Sequence, residues 1–122
     1  YVTANVHLAE IEAETGRLDQ AVARLRSVAH AEDPEPSARL SEFLLAVNRS
    51  ESEVVATYAG EQWERWLSRE ELAFADHAAE FYLGAGSNPS RALELATVNL
   101  DNRQTDRSFE LAIAAADVSD IS

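Results

Sequence analysis

Residues 77–86 read HAAEFYLGAG, and variants of this pattern recur along the chain. Residues 7–11 read HLAEI, with Gly16 in the place of Gly86. Weaker copies follow, so that the four copies start at residues 7, 39, 77 and 110. Their spacing of about 34 residues is typical of a helix-turn-helix solenoid repeat. The sequence therefore indicates an architecture before it indicates any activity.

Composition excludes several classes of function. The chain has 22 acidic residues against 10 basic residues, all of them arginine, and a net charge of −12. Such a surface repels nucleic acid and anionic membranes. Cysteine is absent, which excludes disulfides, thiolate metal sites and thiol nucleophiles. No apolar run approaches the roughly 20 residues that cross a bilayer. We expect a soluble protein, cytoplasmic in preference to periplasmic.

The ends of the sequence suggest a piece of a longer protein. The chain opens on Tyr1, contains no methionine and stops at Ser122, where the repeat pattern predicts the start of a new turn. We therefore expect a fragment of a larger protein of bacterial type.

Apolar residues recur at three- and four-residue spacing in seven segments, and nothing alternates with the period of a strand. The sequence predicts an all-α fold, with helices at about 2–15, 19–31, 35–47, 51–67, 69–83, 89–100 and 106–117. Val47 is predicted on the buried side of the third helix, and Val54 and Tyr58 on the apolar stripe of the fourth.

Capping residues fix the predicted helix boundaries, because side chains and left-handed residues satisfy the free backbone groups at helix ends. The predicted N-caps are Asp19, Asn88 and Thr105. Capping boxes are predicted at Ser50 with Glu53 and at Ser68 with Glu71. The residues predicted to end helices are Gly16 and Asn48. Pro36 and Pro89 are expected in first helical turns.

The first copy resembles a tetratricopeptide repeat. The resemblance rests on Leu8, Ala9, Gly16, Ala21 and Leu25, followed by a proline at position 34. It implies one domain, 1–122, built as a right-handed α-α solenoid of about three and a half repeats: 2–33, 35–67, 69–102 and an incomplete 105–122. Another α-α repeat or a plain helical bundle is the alternative.

The same resemblance implies that the first helix of each pair lines a concave groove that receives a partner. The groove positions are then His7, Arg39, His77 and Glu110 in one row, and Glu10, Glu42, Glu80 and Ile113 one turn further along. Three glutamates in one row predict a protein or peptide partner with basic residues. The plainer interpretation is that these residues form solvated polar helix faces.

Two further sets of residues have a functional and a structural interpretation. Trp63 and Trp66 form a candidate hot spot for a partner, although a core role is favoured because both lie on an apolar stripe. The HxxE pairs at residues 7–10 and 77–80 each offer two metal ligands, but repetition of the framework explains them without a metal. No phosphate loop or nucleophile motif is present, so neither an enzyme nor a cofactor is predicted.

The sequence thus predicts a protein-interaction scaffold that holds a peptide or a partner helix in an acidic groove. The alternative is an architectural or oligomerisation segment with no ligand of its own. A homo-oligomer formed through the exposed terminal helix is a further expectation, because an unpaired last helix exposes apolar surface.

Overall fold

The computed structural model describes residues 1–30 and 32–121. Six helices follow one another: α1 (Val2–Glu14), α2 (Leu18–Val28), α3 (Pro34–Leu44), α4 (Arg49–Leu83), α5 (Pro89–Asn102) and α6 (Asp106–Ile121). Over these described ranges no strand occurs, which confirms the all-α class. In the same part of the chain, no helix has both the length and the apolarity needed to cross a bilayer.

The helices form two compact units, Tyr1–Gln62 and Trp63–Ser122. In the first unit α1 packs against α2 and α3, and α2 packs against α3. In the second unit α5 packs against α6. The helix α4 contributes its first part to one unit and its remainder to the other.

The predicted fourth and fifth helices form one element of 35 residues, α4, whose backbone leaves helical geometry at Glu70 (φ −144°, ψ 64°). The predicted capping box at Ser68 is wrong. Its hydroxyl donates to the Arg65 carbonyl at 2.7 Å, which is the back-bonding of a serine inside a helix. The break therefore lies two residues after the predicted cap, and a count of seven helices is not confirmed.

Three predicted helix ends are confirmed by their hydrogen bonds. Gly16 has φ 80°, and the amides of Gly16 and Arg17 donate to the carbonyls of residues 13 and 12, which is the Schellman arrangement. The Asn88 side chain accepts from the Arg91 amide at 3.2 Å, with Pro89 in the first turn. The Thr105 hydroxyl accepts from the amide of residue 108 at 3.1 Å.

Other predicted ends are wrong. Asp19 lies inside the first turn of α2, whose N-cap is Arg17 without a side-chain bond. Asn48 is not left-handed but caps α4, because its Oδ1 accepts from the Glu51 amide at 3.1 Å. The helix has therefore already begun at Ser50 and Glu53, where a capping box was predicted.

Three helices also differ in length from the prediction. The helix α2 ends at Val28, and Ala31, the predicted end, lies outside the described residues, as does Ser122. The helix α3 begins at Pro34, because the Asp33 side chain accepts from the Glu35 amide, and it ends at Leu44. The helix α6 continues to residue 121, beyond the predicted end near 117.

The first unit is built around a small apolar core. Its buried members are Val6, Ala9, Ala21, Val22, Leu25, Leu40 and Leu44. Ala9 on α1 and Ser41 on α3, both small residues, are fully buried. The buried Ser52 hydroxyl donates to the Ser41 carbonyl at 2.6 Å and so links α4 to α3 without leaving a polar group unpaired.

Several apolar residues predicted in the core are exposed instead. Val47, predicted on the buried side of the third helix, is 53% exposed because it lies in the turn after α3. Val54 and Tyr58 on α4 are also exposed. A further set of exposed apolar side chains comprises Leu8, Ile11, Leu72, Phe109 and Ile113. Apolar spacing alone did not separate these residues from the core, because several helices carry apolar residues on more than one face.

The second unit depends on a close approach between a turn and an aromatic ring. Its buried apolar residues include Trp63, Leu67, Ala75, Ala79, Phe81, Tyr82, Leu95, Ala96, Leu111 and Ala115. A Cβ placed on Gly86 would lie 2.6 Å from Phe81 Cε2 and 2.9 Å from the Phe81 carbonyl oxygen. The turn after α4 therefore needs glycine at this position for space, whereas Gly16 needs it for its left-handed backbone.

Substitutions of the two glycines should separate these causes. We expect Gly86→Ala to lower the free energy of unfolding by about 1–3 kcal/mol, because the added methyl overpacks Phe81. Gly16→Ala should cost about 1–2 kcal/mol through its backbone conformation alone. Urea denaturation followed by circular dichroism measures both values.

Asparagine provides the matched comparison, because it tolerates the left-handed region but is larger than alanine. Gly16→Asn should be more stable than Gly16→Ala, and Gly86→Asn should be less stable than Gly86→Ala. The same order at both positions would contradict the steric explanation for Gly86.

Candidate functional site

Three of the predicted groove residues meet in the first unit. Arg39 on α3 donates from Nη1 to Glu42 Oε2 at 3.1 Å, and its Nε lies 3.5 Å from Glu10 Oε1 on α1. The Arg39 guanidinium also lies 5.5 Å from the centre of the Phe43 ring, within the range of a cation-π contact. We name Glu10, Arg39, Glu42 and Phe43 the Arg39 cluster.

The Arg39 cluster is partly open to solvent and its charges are shared. The side chains of Arg39, Glu10 and Glu42 are each about one third exposed. One guanidinium therefore neutralises part of two carboxylates, so the row that the sequence predicts as acidic carries a net charge of −1 at this place. Any cation from a partner would compete with Arg39 for the same oxygens.

One predicted groove residue of the second unit, Glu80, pairs with another arginine. Arg107 on α6 donates toward Glu80 Oε1 at 2.5 Å and lies 3.7 Å from Asp76 Oδ2, both on α4. His77 Nε2 is 3.9 Å from the same Asp76 oxygen. Glu80 is thus paired with an arginine, as Glu10 and Glu42 are in the first unit, and His77 lies beside Asp76.

The remaining groove residues are on outward helix faces. His7 is exposed on α1, and Ile11 lies four residues later on the same face, 51% exposed beside Leu8 at 46%. Glu110 is exposed on α6, next to Phe109. The structure therefore places large apolar side chains beside the predicted polar row at both helices, which the sequence pattern did not indicate.

The two tryptophans occupy different environments. Trp63 is 2% exposed, in agreement with the core role that its position on the apolar stripe favours. Trp66 is partly buried, and its ring centre lies 4.7 Å from that of Phe74 and 6.4 Å from that of Trp63. These edge and tilted contacts are the arrangement that aromatic rings prefer in a core.

A polar cluster between α1 and α2 was not predicted. Arg24 donates from Nε to Glu12 Oε1 at 2.6 Å and from Nη1 to Asn5 Oδ1 at 3.2 Å. The hydrogen bond from Arg24 holds the pKa of the Glu12 carboxyl below its usual range. A cavity of about 490 Å³ opens beside these residues. The two charged groups that line it, Glu12 and Arg24, are already paired with each other.

A second unpredicted network joins α4 and α5. Glu64 accepts from Tyr82 Oη at 2.5 Å and from Arg91 Nη2 at 2.9 Å, and Arg91 also donates to Glu94 at 2.9 Å. Burial acts to raise the pKa of Glu64, but the hydrogen bonds from Arg91 and Tyr82 outweigh it and lower that pKa. Burial, together with the bond to Glu64, raises the pKa of Tyr82.

These two networks join residues that are 12 to 27 positions apart. No local pattern marks such pairs, so only the excess of arginine over lysine could have drawn attention to them, since arginine suits forked contacts with carboxylates.

Among the described side chains, no group of three or more His, Cys, Asp or Glu residues is arranged to hold a metal ion. In the HxxE pair of the second unit, Glu80 is engaged by Arg107. No protein-family model, curated protein or solved structure matches the chain. The residues themselves therefore carry the functional argument.

Replacing Glu64 by glutamine should make stability less dependent on pH. Because the pKa of Glu64 is lowered on folding, its network stabilises the fold above the ordinary value of about 4.3 and loses this effect as the pH falls through the lower folded value. We expect Glu64→Gln to lower the free energy of unfolding by up to about 1 kcal/mol at neutral pH, since the ion pairs are partly exposed.

Urea denaturation across a pH series measures the effect. The difference between Glu64→Gln and the native chain should shrink below a pH of about 4. Glu61→Gln is the matched control, because Glu61 is an exposed carboxylate on the same helix. A Glu64→Gln effect that stays constant down to acidic pH would contradict the role given to this carboxylate.

Proposed function

We propose that the chain is a protein-interaction module. It binds a peptide or a partner helix along the outward face of the first helix of each helix pair. The observation that carries the proposal is the exposure of large apolar side chains beside a polar row. On α1, Ile11 is about half exposed beside His7 and the similarly exposed Leu8, which lie four and three residues before it. Exposed apolar groups rimmed by polar residues are typical of protein-binding surfaces.

The Arg39 cluster supports a partner with basic residues. Glu10 and Glu42 share a single arginine and remain about one third exposed. A partner arginine or lysine can approach either carboxylate from solvent, while the net negative charge of the chain speeds its encounter. The apolar side chains then supply the contact area that exposed ion pairs do not.

The arrangement that we propose for the whole chain is a tetratricopeptide-like solenoid, with His7, Arg39, His77 and Glu110 in one row of a groove and the three glutamates in the next. The support is the repeated sequence pattern and the Schellman end at Gly16. The competing proposal is an architectural or oligomerisation segment, which the same exposed apolar residues would also serve.

The test neutralises the glutamate row. The immobilised chain is used to capture its partner from an extract of the source cells, and the purified partner is then titrated against the native chain and the variant Glu10→Gln, Glu42→Gln, Glu80→Gln. Each exposed pair contributes about 0.2–1 kcal/mol, so we expect affinity to fall by up to about two powers of ten, with a smaller loss at high salt.

A control with the same change in net charge is Glu53→Gln, Glu61→Gln, Glu71→Gln, because these three carboxylates are exposed elsewhere on α4. Circular dichroism of both variants should match the native chain. If the control variant weakens binding of the partner and the glutamate-row variant does not, the partner uses another face and this proposal is wrong.

A further inference from the structure

We infer that the outward face of α6 binds a basic amphipathic helix. We define the α6 face by its two apolar residues and three carboxylates: Asp106, Phe109, Glu110, Ile113 and Asp117. The inference rests on the proposed function and deepens it, because it names the helix that makes the contact and the chemistry of the partner.

The apolar part of the α6 face consists of two neighbouring side chains. Phe109 is 48% exposed and Ile113 is 61% exposed, while Leu111 and Ala115 of the same helix are buried. Phe109 and Ile113 are four residues apart and therefore adjacent on one side of the helix. Such a pair matches the apolar anchors that an amphipathic helix presents at i and i+4.

The acidic part of the α6 face surrounds this pair. Asp106 and Glu110 are four residues apart, where like charges destabilise a helix. Asp117 lies two turns beyond Glu110 on the same side of the helix and is exposed. Over residues 1–30 and 32–121, no arginine lies within ion-pairing distance of these three carboxylates. Cations from a partner would relieve the repulsion between Asp106 and Glu110 and would pair with Asp117.

The charges of α6 are divided between two sides of the helix, and this division decides which partner the α6 face attracts. The arginine of this helix, Arg107, is directed toward Glu80 and Asp76 on α4 and not toward the α6 face. A second copy of the chain would place the same carboxylates against each other, which costs affinity. Anionic partners are repelled in the same way. Charge complementarity therefore selects a helix with arginine or lysine beside its apolar anchors.

A designed peptide provides the direct probe. It is an alanine-based helix of roughly 18 residues, long enough to be partly helical in water, with two central leucines four residues apart and arginines one turn before, between and after them. Two matched peptides carry glutamate in place of each arginine, or serine in place of each leucine. Fluorescence anisotropy of the labelled peptides measures their binding to the complete 122-residue chain.

Two variants remove the two parts of the α6 face. The first is Asp106→Asn, Glu110→Gln, Asp117→Asn, and the second is Phe109→Ser, Ile113→Ser. The control is the α4 variant Glu53→Gln, Glu61→Gln, Glu71→Gln, which changes net charge as much as the first variant does. Circular dichroism verifies folding, and the first variant, which replaces side chains by near-isosteric amides, keeps the test valid if the second does not fold.

We expect each α6 variant to lower the affinity for the basic peptide about tenfold, since each exposed pair has a small effect. The control should lower this affinity less than about twofold. The glutamate peptide and the serine peptide should bind at least about tenfold more weakly than the basic one. Added salt should reduce the binding of the basic peptide.

Three results would overturn the inference. If the α4 control weakens binding of the basic peptide as much as the α6 variants do, binding depends on net charge alone. Equal binding of the serine peptide would exclude apolar docking. Light scattering that shows a dimer, converted to monomer by Phe109→Ser, Ile113→Ser, would identify a second copy as the occupant. Because the glutamate-row variant of the proposed function leaves the α6 face intact, failure of one proposal is distinguishable from failure of the other.

Discussion

Arginine–carboxylate pairs between helices are the constraint that organises this acidic chain. The chain has 22 acidic and 10 basic residues, and several of its helices approach each other where an arginine lies between their carboxylates. The pairs that join different helices are Arg24 with Glu12, Arg26 with Glu51, Arg39 with Glu10, Arg91 with Glu64, and Arg107 with Glu80. Arginine suits this task better than lysine, because its planar fork contacts two acceptors at once.

These pairs select the arrangement of the helices more than they stabilise it. Partly exposed ion pairs contribute about 0.2–1 kcal/mol each, whereas burying one leucine side chain contributes about 1.5–3 kcal/mol. In the first unit, Leu25 and Leu44 are fully buried in the apolar core, and Arg24 and Arg39 lie at its edge. Apolar burial drives the packing, and the arginines penalise any arrangement that brings unneutralised carboxylates together.

The sequence predicted what local chemistry determines and missed what depends on distant residues. Gly16 and Asn88 were predictable as helix ends, because turn conformation and capping are local. The cap at Asn48 was missed, since asparagine serves equally as the end of one helix or the start of the next. The pairing of Glu10 with Arg39 joins residues on two helices, so the row of glutamates was predictable but its partial neutralisation was not.

The same distinction explains why the outward faces carry the functional argument. An arginine that neutralises a carboxylate between helices also removes it from the set available to a partner, as Arg107 does for Glu80. Within the described part of the chain, other carboxylates such as Glu110 have no arginine beside them and lie exposed to solvent. Where they surround an exposed apolar residue such as Ile113, one surface offers both desolvation and charge attraction. Neither the apolar residue nor the carboxylates are needed for packing the helix, since its buried face is formed by Leu111 and Ala115.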